Sequence, residues 1–321
     1  MRPQTLKTML PADWSAHTAV VRFVELCGEW QAIVLRRDCD MDVRRLASSE
    51  LRAALDAWQA FLTTLSVESL AQTATAKARH QQCLPLLSRL GDFLWPSDVD
   101  DLLGSATSVV VLPDRPLWNV PFHALHSRER GFVFDRFTGG VGMAFGQQLW
   151  RVCRERARAI TSQGVLGLPR GRLMERPETL SPDRSAPNVF LINRDSQGDA
   201  HPLDGPKLLS EWLPPNHEAP RLIAWLENGS ARWNGDDNTR LPFAAIQRGS
   251  ASFIGLLWDI PSAARRFFAS RLMTHLENAM PMSRAVRESL SDTIQQPETE
   301  DSLPLSSPLI WGAIQLWGSD A

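Results

Sequence analysis

Ser108-Val109-Val110-Val111-Leu112-Pro113-Asp114 is the stretch on which the fold turns. Its apolar residues run on without alternation and stop at Pro-Asp. That pattern predicts a strand covered on both faces and a turn that reverses it. The same signature recurs at Gly164–Leu168, Asn188–Ile192, Arg221–Leu226, Ser252–Trp258 and Leu309–Trp317. Helical periodicity separates these runs. Leu51, Ala54, Leu55, Trp58, Phe61, Leu62 and Leu65 recur at three- and four-residue steps and predict an amphipathic helix over 43–66. Further helices are predicted over 68–95, ended by Pro96, and over 144–160, 261–278 and 281–294. Upstream, Val20–Leu26 and Trp30–Leu35 flank Cys27-Gly28-Glu29 and read as a β-hairpin. Phe132-Val133-Phe134 reads as a short strand, and Gly139-Gly140-Val141-Gly142 as a tight turn. Pro169–Pro187 and Gln296–Pro308 read as exposed loops. Buried strands alternating with helices predict an α/β fold.

Composition narrows the function classes. The 321 residues are 43% hydrophobic and 22% charged, with a net charge of −2, which points to neither nucleic acid nor an anionic membrane as partner. No apolar run approaches the length of a membrane span, and Met1–Ala12 carries no signal-peptide pattern, so a cytoplasmic location is expected. Four scattered cysteines, Cys27, Cys39, Cys83 and Cys153, build neither a disulfide framework nor a zinc site. No phosphate-binding glycine motif occurs, and the carboxylates of Asp199, Asp204, Asp236 and Asp237 lack metal-ligand spacing. No cofactor and no metal are expected. There are 12 Trp but no Tyr, so no phenol is available for acid–base work.

Four segments, in order, resemble the CHAT family of caspase-like peptidases, found in bacteria beside TPR repeats. Val109–Leu125, with Pro113-Asp114-Arg115-Pro116-Leu117-Trp118-Asn119-Val120-Pro121-Phe122, is similar to the family's strand–PDGPLHxLPFxAL signature and departs from it at Arg115 and Trp118. Gly249–Ile260 resembles its GA…LW-x-V stretch, Phe267–Leu272 its FY-x-x-L helix, and Pro308–Gly318 its P-x-x-WAAF-x-L-x-G close. The resemblance implies a caspase-like three-layer sandwich: a mostly parallel sheet flanked by helices, preceded by the hairpin and helices. It implies one unit over 1–321, with an inactive amino-terminal half over 1–161 and a carboxyl-terminal half over 162–321.

The chemistry departs from the family. A cysteine peptidase of this kind needs a His and a Cys at the carboxyl ends of adjacent parallel strands. By the resemblance, Asp195 stands at the His position and Leu226 at the Cys position, while Glu227 and Gly229 match. No Cys occurs between Arg154 and Ala321. Asp is a poor stand-in for imidazole near neutral pH, and Leu is no nucleophile. Ser196, Ser230 and His201 lie near the vacated positions, but without a G-x-S-x-G elbow they make weak substitutes. The expectation is a pseudo-peptidase that binds protein in a bacterial defence or signalling system. Its partner would be an active CHAT homologue or a TPR-containing protein. The alternative is an active peptidase with a rearranged site. Trp225, Glu227, Asn228, Trp233, Trp258 and Asp259 are the candidate cleft residues.

Overall fold

In the computed structural model the Val-Val-Val-Leu run is β4 (Ser108–Leu112), buried throughout. It lies between β1 (Thr18–Leu26) and β7 (Gly140–Met143), parallel to both. The structure describes residues 17–37, 41–65, 70, 73–146, 173–174, 189–192, 222–227, 229–233, 241–278, 280–296 and 305–318. The remaining strands are β2 (Glu29–Leu35), β3 (Asp42–Arg45), β5 (His126–Ser127), β6 (Gly131–Phe132), β8 (Leu173–Met174), β9 (Val189–Ile192), β10 (Leu222–Trp225), β11 (Ser252–Leu256) and β12 (Ile314–Gly318). The helices are α1 (Ser48–Leu62), α2 (Thr73–Leu94), α3 (Ser97–Leu103), α4 (Val133–Arg136), α5 (Leu241–Gln247), α6 (Ser262–Glu277), α7 (Met282–Ile294) and α8 (Pro308–Trp311).

One sheet of ten described strands runs β3-β2-β1-β4-β7-β12-β11-β10-β9-β8, and β5 and β6 pair separately. Six of its nine pairings are parallel. The expected α/β class with a mostly parallel sheet flanked by helices is what the chain adopts. The polarity reverses once near the middle: β12 is antiparallel to β11 but parallel to β7. The carboxyl ends of β9, β10 and β11 therefore share one edge, and those of β1, β4, β7 and β12 point to the other.

Burial on both faces explains the unbroken apolar runs. Ala19, Val21, Phe23, Val109 and Val111 join the large core under α1 and α2. Their neighbours Val20, Leu35, Val110, Leu112 and Ala144 form a second cluster on the opposite face. The predicted stripe of α1 is its buried side, from Leu51 to Leu62. Trp58 sits in the core with its indole edge toward Trp258, ring centroids 5.7 Å apart.

Several boundaries differ from the reading of the sequence. The hairpin turn has two residues, Cys27 at φ 52° and Gly28 at φ 84°, and Glu29 already pairs with Leu26. Two positive φ values make the type I′ turn whose twist suits a hairpin. Residues 42–45 form a short edge strand, not the start of α1. Charged Asp42, Arg44 and Arg45 blunt that edge. Only Gly131–Phe132 is strand in the 132–134 region, and Val133–Arg136 is a helical turn. Leu309–Trp317 splits into a helical turn and β12. The largest difference is at Gly139–Gly142: Gly139 is in a turn as expected, but Gly140–Gly142 belong to the central strand β7. Its glycines carry no strand signal. They are there for close approach: a Cβ on Gly140, at φ 102°, would lie 2.8 Å from the carbonyl oxygen of Ser283 in α7. The predicted strand 164–168 lies outside the described residues. So do residues 147–160 of the predicted helix and most of the two predicted loops.

Two predictions follow from this packing. Gly140→Ala forces a side chain into both a positive φ and the α7 backbone, and should cost about 2–4 kcal/mol in urea unfolding. His123 is buried, its Nε2 lies 3.2 Å from the Trp311 carbonyl oxygen, and burial holds its pKa down to about 4 against an ordinary 6.5. The unfolded chain therefore takes up a proton, between pH 6.5 and about 4, that the folded chain refuses. Stability should be full above that window and fall as pH falls through it. His123→Gln, which keeps a donor for Trp311, should flatten this part of the pH–stability curve.

Candidate functional site

The shared carboxyl edge of β9, β10 and β11 is where a sheet of this kind exposes chemistry. β10 is in register with both neighbours, Trp225 opposite Ile192 and Gly255. Leu226, the next residue, is fully buried. Its carbonyl accepts a hydrogen bond from Arg265 Nη1 at 3.0 Å, a guanidinium brought from the first turn of α6 and itself only 4% exposed. Trp225 is also a core side chain, its indole N–H donating to Glu227 Oε2 at 3.1 Å.

The segment after Leu226 folds back on the strand ends. Gly229, at φ 60°, allows the tight turn, and Arg232 N–H closes it on the Gly229 carbonyl at 2.8 Å. Ser230 staples β10 to β11. Its hydroxyl donates to the Trp225 carbonyl at 2.6 Å and accepts from Leu256 N–H at 2.9 Å. With its donor and an acceptor position both committed, this hydroxyl is a structural bridge. Ala231 N–H adds a bond to the Leu256 carbonyl at 2.8 Å. Gly255 is glycine because the turn rests on it: a Cβ there would lie 2.9 Å from both Ala231 Cβ and Ser230 Oγ.

Asn119, buried in the turn after β4, holds the far end of this segment. Its Nδ2 donates to the Trp233 carbonyl at 2.9 Å, and its Oδ1 accepts from Trp233 N–H at 2.7 Å. The Asn119 carbonyl in turn accepts from Trp58 Nε1 at 2.9 Å. The Trp233 ring is half-buried and meets Trp118 edge to face at 5.8 Å, and Trp118 meets Phe145 at 5.6 Å. Phe145 stacks on buried Trp317 at 4.3 Å and contacts Phe243 at 5.4 Å. A run of aromatic rings thus leads from Trp233 through Trp118 to Phe145 and Trp317, toward the carboxyl ends of β7 and β12. Charge is present too. Burial pulls the Arg232 guanidinium below its usual range, while nearby Asp259 acts the other way.

Of the residues singled out in the sequence, the structure brings Trp225, Leu226, Glu227, Ser230, Trp233 and Asp259 to this edge. Trp258 is buried in the core with its Nε1 donating to the Leu309 carbonyl at 2.8 Å. Asp195, Ser196, His201 and Asn228 lie outside the described residues. Cys83 is buried, which pushes its thiol pKa up, and Cys27 caps the hairpin far along the chain from this edge. Asn119 and Arg265 escaped the reading of the sequence. The one signal for Asn119 was an amide inside an otherwise apolar, proline-bounded turn.

Removing the amide should free the segment it holds. Asn119→Ala leaves the Trp233 N–H and carbonyl without their partner and should cost about 2–4 kcal/mol. Hydrogen exchange should speed up at residues 229–233 more than in β10 itself.

Residues 190–319 match the family model of the CHAT domain. No curated protein matches the chain. The fold is similar to that in a crystal structure of the Saccharomyces cerevisiae separase–securin complex at 2.6 Å. There the TM-score is 0.58 over 98% of this chain, at 8% identity. A second structure of that complex, at 3.0 Å, gives 0.53 over the same share at 8% identity. This chain spans 30% of the length of the chain it matches in each. The resemblance read from the sequence agrees with this match over residues 190–319, and the architecture is a mostly parallel α/β fold similar to that of separase.

Proposed function

We propose that this CHAT-domain chain is a pseudo-peptidase whose carboxyl edge binds a peptide segment of a partner protein without cutting it. The observation that carries the reading is Leu226. A caspase-type nucleophile must present its side chain to a substrate carbonyl. The residue that aligns with it is apolar and fully buried, and the carbonyl behind it is tied to Arg265. The Ser230 hydroxyl, in the turn that follows, is held at both ends. A bound peptide on this edge would find no activated nucleophile among the described residues.

The segment that folds back from this edge, with the turn after β4 that holds it, has what a binding surface needs. Trp118 and Trp233 are half-buried aromatic rings, the kind of side chain that dominates interface energies. Asn119 holds Trp233 in place before any ligand arrives, which lowers the ordering cost of binding. Arg232 and Asp259 add charge of both signs for selecting a sequence. A partner from the same bacterial system, an active homologue or a TPR-containing protein, fits this role.

Two measurements decide it. A broad fluorogenic peptide library, run with and without iodoacetamide, should show no turnover; cleavage that alkylation abolishes would overturn the proposal. A peptide array should give binders whose affinity falls at least about tenfold in Trp233→Ala, the loss of roughly 1.4 kcal/mol or more. Binders indifferent to that change would move the surface elsewhere and defeat the assignment.

A further inference from the structure

β3 (Asp42–Arg45) closes one end of the ten-stranded sheet, and among the described strands its only neighbour is β2. Its backbone has a definite outward side. Leu46 N–H donates to the Trp30 carbonyl at 2.9 Å, and the register continues with Gln31 opposite Arg45, Ala32 opposite Arg44 and Ile33 opposite Val43. Bonded and non-bonded pairs alternate along an antiparallel ladder. Leu46, Arg44 and Asp42 therefore bond to β2, while the N–H and C=O of Val43 and Arg45 point out along the open edge.

The side chains alternate as well. Asp42 and Arg44 share the face that carries α3, where Arg44 Nε is 3.6 Å from Asp98 Oδ2. Met41, Val43 and Arg45 share the other face, on which Ile33 and Met41 pack against the second apolar cluster. Val43 is 40% exposed and, with Leu26, one of two large apolar side chains exposed among the described residues. It carries the apolar strip of Ile33 out to the edge.

This edge is complementary to itself. A second copy laid antiparallel along it, about a two-fold axis through Val43 and perpendicular to the sheet, keeps like faces together. Val43 then meets Val43 of the copy, each N–H reaching the other's carbonyl. On the α3 face Asp42 falls opposite Arg44 of the copy, and Arg44 opposite its Asp42. Arg45 falls opposite Met41, so no like charges face each other. Opposite charges and β-branched residues directly across a ladder attract, and like charges repel. Sliding the copy by two residues brings Arg44 against Arg44 one way and Asp42 against Asp42 the other, so charge also fixes the register. The Arg44–Asp98 pair is no obstacle. At 42% and 57% exposure it holds Arg44 weakly, and a guanidinium has donors for a second carboxylate. Charges that turn away arbitrary strands thus specify one partner.

We propose that the β3 edge is a self-association seam, where two copies of this chain pair through antiparallel β3 strands centred on Val43 and join their sheets into one. The seam lies at the far end of the sheet from β8, β9 and β10, so its test is independent of peptide binding at the carboxyl edge.

The contact is short, so the association is weak and reversible. Sedimentation velocity of the wild-type chain between about 10 µM and 1 mM should show monomer passing to dimer. Asp42→Arg leaves two cations on the contact face and Arg44→Glu two carboxylates, and each alone should weaken self-association at least about tenfold. Mixed in equal amounts, the two variants should associate again to within about threefold of the wild type, because each then meets its opposite. Hydrogen exchange supplies a readout in the unaltered chain: the Val43 amide should gain protection as concentration rises, and that of Gly28 in the hairpin turn should not. A wild-type chain that stays monomeric, or a Val43 amide indifferent to concentration, overturns the proposal. So do single variants that associate like the wild type, or a mixture that stays monomeric although circular dichroism shows both variants folded.

Discussion

The pairing of the Asn119 side chain with the Trp233 backbone joins parts of the chain that are 114 residues apart. A primary amide offers one donor and one acceptor at the spacing of a peptide group, so it can imitate one rung of a β-ladder. Buried as it is, Asn119 must keep both bonds or pay for lost hydration. Trp58 donates to the carbonyl of the same residue, so α1, the turn after β4 and the segment after β10 are tied together through Asn119. The run of aromatic rings follows from this. Trp118 is the neighbour of Asn119, and the Trp233 ring is placed by its clamped backbone.

On the proposed reading, the edge of the sheet is a catalytic architecture that has outlasted its chemistry. Parallel β9, β10 and β11 still deliver their carboxyl ends to one place. The groups there are committed to packing and hydrogen bonds. A buried leucine closes the position, an arginine caps the strand carbonyl, and a serine hydroxyl is spent on bridging two strands. Each of these makes the edge more rigid and less reactive. Fold and function are separable in this way because the scaffold needs only apolar periodicity, whereas catalysis needs particular side chains.

What was legible in the sequence was the buried scaffold. Val109-Val110-Val111, the stripe from Leu51 to Leu62, and the runs at 222–225 and 252–256 all carry periodicity that burial enforces. Illegible were features set by long-range contact. Gly139–Gly142 has only the Val141 side chain from which to read a strand, and its place in the sheet depends on neighbours at 108–111 and 317. Asn119 looks like any turn asparagine until Trp233 is beside it. Trp258, offered as a cleft residue, proved to be a core ring because a lone aromatic beside a strand reads the same in either role.

The insertion of β12 between β7 and β11 sets an order of events during synthesis. Residues 314–318 are made after every other described strand, yet they fill the middle of the sheet. Until they arrive, β7 and β11 each present an open edge of unpaired backbone groups. Such edges recruit other strands, their own copies included. A half-sheet that formed before these residues were made would stand with one such edge open, so closing that central seam is the step that guards the chain against wrong pairing.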